Sequence, residues 1–151
     1  MAKNEAEIPN PKLQPFSKLI GEWTTVATHR LMPNVTLHGR TTFSWLQGGA
    51  FVNMQSEVDE EGVPSATAIF GSDNDTEAFF MLYFDERGVS RKFDVTMQGN
   101  VLAYERLVPD FSQRFTSTIS DDGNTIKVLV ELREDGVNWK NDLEATYTRV
   151  K

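Results

Sequence analysis

Gly21-Glu22-Trp23 follows a short run, Pro15 to Ile20, that reads as a helical turn, and it opens a chain that then reads as strand after strand. Glycine accepts backbone angles that other residues resist, which suits a chain bending sharply out of a helical turn into a strand with a buried aromatic beside it. From Trp23 onward, β-branched and aromatic residues recur in about ten short runs separated by Gly, Pro, Asn and Asp, the pattern of an all-β sandwich or barrel. The runs are Glu22 to His29, Thr36 to Leu46, Phe51 to Val58, Ser65 to Gly71, Ala78 to Asp85, Ser90 to Gln98, Val101 to Val108, Arg114 to Ser120, Thr125 to Arg133 and Asn138 to Arg149. Connectors such as Gln98-Gly99-Asn100 and Glu134-Asp135-Gly136 supply residues that tolerate positive φ. They are too short for parallel crossovers, so neighbours are antiparallel and the topology is a meander. The expected fold is an all-β, closed antiparallel up-and-down barrel of about ten strands with a short N-terminal helical turn.

The 151 residues carry no composition break that marks a second core, so a single domain is expected over 16–151. Residues 1–15 are polar, contain Pro9, Pro11 and Pro15, and read as a flexible N-terminal arm without a signal-peptide apolar core. A formal net charge of -7 and no lysine or arginine cluster interleaved with aromatics argue against nucleic acid. No stretch approaches a membrane-spanning helix. The expectation is a cytoplasmic protein with no membrane partner. The absence of cysteine removes disulfides, thiol nucleophiles and cysteine-ligated metal centres.

Alternation assigns faces. Ile126, Val128, Val130 and Leu132 oppose Lys127, Glu131 and Arg133, so one face is solvated. Phe93, Val95 and Met97 share their face with Arg91, and if Trp23 points inward, so do Thr25, Ala27 and His29. The run from Ala78 to Phe84 is apolar on both faces, so something covers its outer side. A second copy of the chain, making a homodimer, and the N-terminal arm are the two candidates.

The helical turn, Gly-x-Trp, the meander and a last strand ending Tyr147-Thr148-Arg149-Val150 together resemble the calycin superfamily of lipocalins, fatty-acid-binding proteins and nitrobindins. Trp45 to Phe51, Tyr83 to Gly88 and the closing Tyr-Thr-Arg are similar to the bacterial DUF1579-type, fatty-acid-binding-like barrels. The resemblance implies that Trp23 packs at the closed barrel end against Arg149, a barrel-closing cation-π pair. It also implies a departure from nitrobindins, which hold haem through a histidine near the C-terminus. Here the last histidine is His38, and no cofactor is expected.

Familiar chemistry finds little support. With two histidines and no cysteine, a protein-built metal site is not expected. Gly71-Ser72-Asp73 does not complete a nucleophile elbow, and no phosphate-binding glycine loop is present. A lumen needs aromatic bulk and a few placed polar groups, which His29, Tyr83, Arg91, Glu105, Arg114, Trp139 and Tyr147 could supply as ligand-binding residues. An arginine would suit a carboxylate or phosphate on an otherwise apolar ligand. The same charges could instead pair with one another at the barrel rims. Three functions follow: a barrel that binds a small apolar or amphipathic molecule, an enzyme using Tyr83 or Glu105 as proton donor or acceptor, or a solid barrel that works through its outer surface.

Overall fold

The computed structural model describes residues 7–150. Ten antiparallel strands run in chain order around a closed barrel, and the first pairs with the last. They are β1 (Gly21–His29), β2 (Met32–Leu46), β3 (Phe51–Val58), β4 (Ala66–Ser72), β5 (Phe79–Asp85), β6 (Ser90–Gln98), β7 (Val101–Arg106), β8 (Ser112–Ile119), β9 (Thr125–Arg133) and β10 (Lys140–Arg149). Closure sets Trp23 opposite Arg149 on β10 and opposite Thr41 on β2. No helix among the described residues is long and apolar enough to cross a membrane.

A 3-10 helical run, Pro11–Leu19, plugs one end of the barrel. A 3-10 helix has three residues per turn, so Leu13, Phe16 and Leu19 fall on a single stripe, and all three are fully buried. Removing each from water is worth roughly 1.5–3 kcal/mol. Phe16 meets Phe70 of β4 at a ring separation of 5.7 Å and Phe79 of β5 edge-on at 5.1 Å. Asn10 begins the helix by accepting from the Lys12 amide, and Pro11 sits where an amide hydrogen would have no partner anyway.

The expected arm, residues 1–15, overlaps this helix. Residues 1–6 lie outside the described residues, but the helix begins at Pro11 and its Leu13 belongs to the core. Asn10 is fastened as well, its amide donating to the Gly49 carbonyl at 3.0 Å and its side chain to Ser72 Oγ at 2.9 Å.

The helix end explains the Gly-x-Trp signal. Trp23 Nε1 donates to the Leu19 carbonyl at 2.9 Å, while Arg149 Nη2 and Nη1 donate to the Lys18 and Ile20 carbonyls, each at 2.8 Å. These are carbonyls that a helix terminus leaves without intrahelical partners. The Arg149 guanidinium lies 4.2 Å from the centre of the fully buried Trp23 ring. Gly21, with φ at 140°, makes the turn between helix and strand in a region that side chains disfavour.

Two strands start two or more residues earlier than the sequence suggests. β2 begins at Met32 instead of Thr36, with its register against β1 broken between Thr28 and His29, so Pro33 sits in the irregular stretch where a missing amide hydrogen is tolerated. β8 begins at Ser112 instead of Arg114, which brings Gln113 into the sheet. The doubly apolar β5 sends Phe79, Met81 and Tyr83 toward the core and Phe80, Leu82 and Phe84 outward. Phe80 stands opposite Gly71, where an added Cβ would lie 2.8 Å from the Phe80 ring and 3.1 Å from Phe51. The glycine is therefore the seat of two aromatic rings, and the sheet covers part of its own outer apolar face. Phe51 and Phe84 remain 37% and 42% exposed.

Candidate functional site

Side chains fill the plugged half of the barrel: Val52, Phe70, Leu102 and Ile126 form a tightly buried floor above Trp23 and the helix. Above that floor lies a cavity of about 270 Å³, walled by Phe93, Phe115, Val128 and Val130. All three tyrosines of the chain, Tyr83, Tyr104 and Tyr147, line it. The interior is thus not solid throughout.

The polar groups of the cavity fall into three sets. Arg91 stands opposite Tyr83 in the β5–β6 register and donates from Nη1 to Gln113 Oε1 at 3.0 Å. Its guanidinium lies 5.3 Å from the centre of the Phe111 ring. The second set is a relay from lumen to rim: Tyr83 donates its hydroxyl proton to Asp85 Oδ2 at 2.7 Å, and Arg87 donates to the same oxygen at 2.6 Å. The Asp85 side chain is 0% exposed. The Arg87 guanidinium, then the Tyr83 hydroxyl, hold its carboxyl well below the usual carboxylate range. Burial, and then the bond to Asp85, push the Tyr83 phenol up to about 12.

The third set is His29 with Asp142. The Leu31 amide donates to His29 Nδ1 at 3.1 Å, which assigns the ring proton of the neutral form to Nε2, 3.4 Å from Asp142 Oδ1. Asp142 also lies 3.6 Å from Arg30 Nε. Both ring nitrogens of His29 are engaged, so the imidazole has no free lone pair to offer the lumen. Deeper in, Tyr104 stacks on Phe115 with ring centres 4.6 Å apart. Burial, with Tyr147 and Tyr83 nearby, raises its pKa and keeps it protonated. Burial likewise raises the pKa of Tyr147. Among the described residues no group of three or more His, Cys, Asp or Glu side chains is placed to hold a metal ion.

Four of the seven residues singled out from sequence, His29, Tyr83, Arg91 and Tyr147, line the cavity. Glu105, Arg114 and Trp139 do not. Tyr104 and Phe115 point inward, so their neighbours Glu105 and Arg114 face out, where they stand opposite each other in the β7–β8 register. Arg114 pairs with Glu131 at 2.8 and 3.1 Å and lies 4.1 Å from the centre of the Trp139 ring, which Arg133 approaches at 4.8 Å. That cluster is an external clasp between β8, β9 and the β9–β10 connection.

The profile of the family described as "Protein of unknown function (DUF1579)" matches residues 9–149. The chain belongs to the DUF1579 family. Among solved structures, this DUF1579 barrel is similar to Rv2717c from M. tuberculosis, with a TM-score of 0.65 and 17% identity over 96% of this chain and 100% of the other. It is also similar to Echinococcus granulosus fatty-acid-binding protein 1, with a TM-score of 0.61 and 15% identity over 89% of this chain and 99% of the other. At such identities the likeness shows a shared calycin-like barrel. No curated protein sequence matches.

In the DUF1579 barrel, sequence reasoning missed three polar residues of the open end: Gln113, Arg106 and Asp142. Gln113 and Arg106 were within its reach, because alternation from Phe115 and from Tyr104 puts both on the inner face. Asp142 was not. Alternation from Tyr147 and Ala145 sends it outward, and only the register shift between Asn141 and Leu143 brings it to the cavity beside His29.

Proposed function

We propose that this DUF1579 barrel binds a small amphipathic molecule, with the apolar body inside the cavity and the polar end directed at Arg91. The observation that carries this reading is the cavity itself: about 270 Å³ of unfilled lumen with apolar walls, above a floor that is fully packed. Protein interiors are normally packed to crystal-like density, so a void of this size lined by a few polar groups is an investment in something other than stability. Enclosure supplies the affinity, at about 25 cal/mol for each Å² of apolar surface taken from water, and the polar groups set orientation.

Binding is favoured over acid–base catalysis by the proton positions. Tyr83 directs its proton at Asp85, and His29 has both nitrogens engaged, so neither stands ready as a base toward the lumen. The structural neighbour named as a fatty-acid-binding protein lends the general idea of an apolar ligand and, at its low identity, no ligand of its own. A homodimer, resting on exposed Phe51 and Phe84, and a cytoplasmic setting, with which the cysteine-free sequence agrees, complete the reading.

Native mass spectrometry of the protein purified gently from its own host tests it. A stoichiometric small mass that is lost on denaturation supports the lumen reading, and the same spectrum reports the subunit count. A clean apo mass that stays apo when the protein is titrated with small amphipathic acids and alcohols would sink it.

A further inference from the structure

We infer that Arg91 and Arg106 form an anion clamp at the mouth of the cavity, and that the ligand is a compact carboxylate with an apolar body, not a long acyl chain. This rests on the lumen-binding reading above.

The first observation is placement. Arg106 follows Leu102 and Tyr104 on the inner face of β7 and stands opposite Gln113 of β8, which is only 9% exposed and lines the cavity. Arg91 reaches Gln113 from β6 and lies over the Phe111 ring, while Arg106 Nη1 approaches the carbonyl of that same Phe111 at 3.4 Å. Two guanidinium groups from neighbouring strands thus meet at Phe111, and the one from Arg91 also reaches Gln113.

The second is charge. Arg30, Arg87 and Arg114 each have a carboxylate partner. Among the described residues the other five have none, but Arg40 is exposed and Arg133 and Arg149 lie over tryptophan rings, which leaves Arg91 and Arg106 as the pair beside the cavity without a carboxylate. Burial and the neighbouring Arg91 both lower the Arg106 pKa, the signature of a cation short of counter-charge. An oxyanion between the two would relieve that repulsion and accept from a donor fork shaped for it.

The third is hydrogen-bond polarity. Gln113 Oε1 is taken by Arg91, which leaves the Gln113 amide nitrogen as a donor. Tyr104 lines the cavity, and its hydroxyl makes no hydrogen bond to the protein among the described residues, which leaves it able to donate to a ligand. The acceptors nearby, Asp85 and Asp142, are engaged by Tyr83 and Arg87 and by His29 and Arg30, so the groups around Gln113 that remain to meet a ligand are donors, which suits an anion. The fourth is room. The cavity lies just under the roughly 300–1,000 Å³ usual for ligand pockets, and its floor of Phe70 and Leu102 is closed, so a long chain cannot run on downward.

Calorimetric titration of the full chain with three probes tests this: 2-naphthoate, its neutral analogue 2-naphthalenemethanol, and palmitate. The naphthoate is expected to bind, roughly tenfold or more tightly than the alcohol, and to weaken by about tenfold or more in Arg91→Gln and in Arg106→Gln. The alcohol's affinity should be the same in wild type and both variants, and palmitate should bind more weakly than naphthoate. Arg40→Gln, on the exposed outer side of β2, is the control that changes charge alone, and unchanged melting curves establish that each variant is folded. If naphthoate and alcohol bind alike and both arginine variants leave them unchanged, the clamp is wrong while the lumen reading stands. Palmitate binding more tightly than naphthoate would overturn the limit on size. If none of the three binds, the lumen reading itself falls and the clamp with it.

Discussion

The two ends of the barrel are built from the same strands and could hardly differ more. β1 carries Trp23 at one end and His29 at the other, about 20 Å apart at the usual rise of a strand, and β10 carries Arg149 and Asp142. At the plugged end, the Lys18, Leu19 and Ile20 carbonyls have side-chain donors and the apolar side chains are fully buried. Toward the open end, Arg91 donates to Gln113, Arg106 stands opposite that glutamine in the register, and Tyr104 lines a cavity below them. One end is complete in itself. The other keeps a cavity with polar groups on its wall.

That contrast can be broken most directly at the plugged end. Trp23→Ala removes the ring that seats both helix and Arg149, and urea denaturation should show a loss of about 3–5 kcal/mol. A loss under about 1 kcal/mol would mean that the plug is not where the stability resides. The next effect is alkaline. A tyrosine whose folded pKa is raised stabilises the fold fully below its unfolded value of about 10, and that contribution drains away as pH rises through the folded value. For Tyr83 the window runs from there to about 12, and Tyr104 and Tyr147 are shifted in the same direction. Tyrosinate absorbance should therefore lag behind that of free tyrosine, and the fold should weaken above pH 10. Ionisation of any tyrosine with an ordinary midpoint while circular dichroism stays native would show that the open end is wetter than described. The smallest effect has the opposite sign. Tyr104→Phe deletes a hydroxyl of the cavity wall that makes no hydrogen bond to the protein among the described residues, so stability should stay level or rise by up to about 1 kcal/mol. A clear loss would reveal a partner for that hydroxyl and would sharpen the open end into a preformed network.

The barrel was legible because its strand periodicity and glycine-bearing turns are local signals, and because Gly21 and Trp23 mark where the helix gives way to the sheet. The site was legible in part. Arg91 and Tyr83 could be placed by parity from Phe93 and Met81. Arg114 was misplaced although Phe115 beside it carries the parity that sends it outward, because the reading began that strand at Arg114 and weighed it for its charge instead of its alternation. Trp139, at a strand end, carried no alternation to read and turned out to serve the external arginine stack. Asp142 depended on a bulge, which no periodic argument anticipates. Local partners such as Arg87 for Asp85 were visible as neighbours in sequence, whereas the meeting of Arg91 and Arg106 at Phe111 is a property of the assembled rim alone.

The bonds from Arg149 to Lys18 and Ile20 join residues 131 and 129 positions apart. During synthesis the plug helix and Trp23 emerge early, yet the side chain that caps the one and covers the other leaves the ribosome after nearly every other strand. The nascent chain must carry an uncapped helix and an open sheet until then, with β1 lacking its second neighbour. Completion of the barrel is thus timed by the arrival of its last strand, and a chain stalled before Arg149 presents an unclosed edge, the kind of surface that chaperones hold and proteases find.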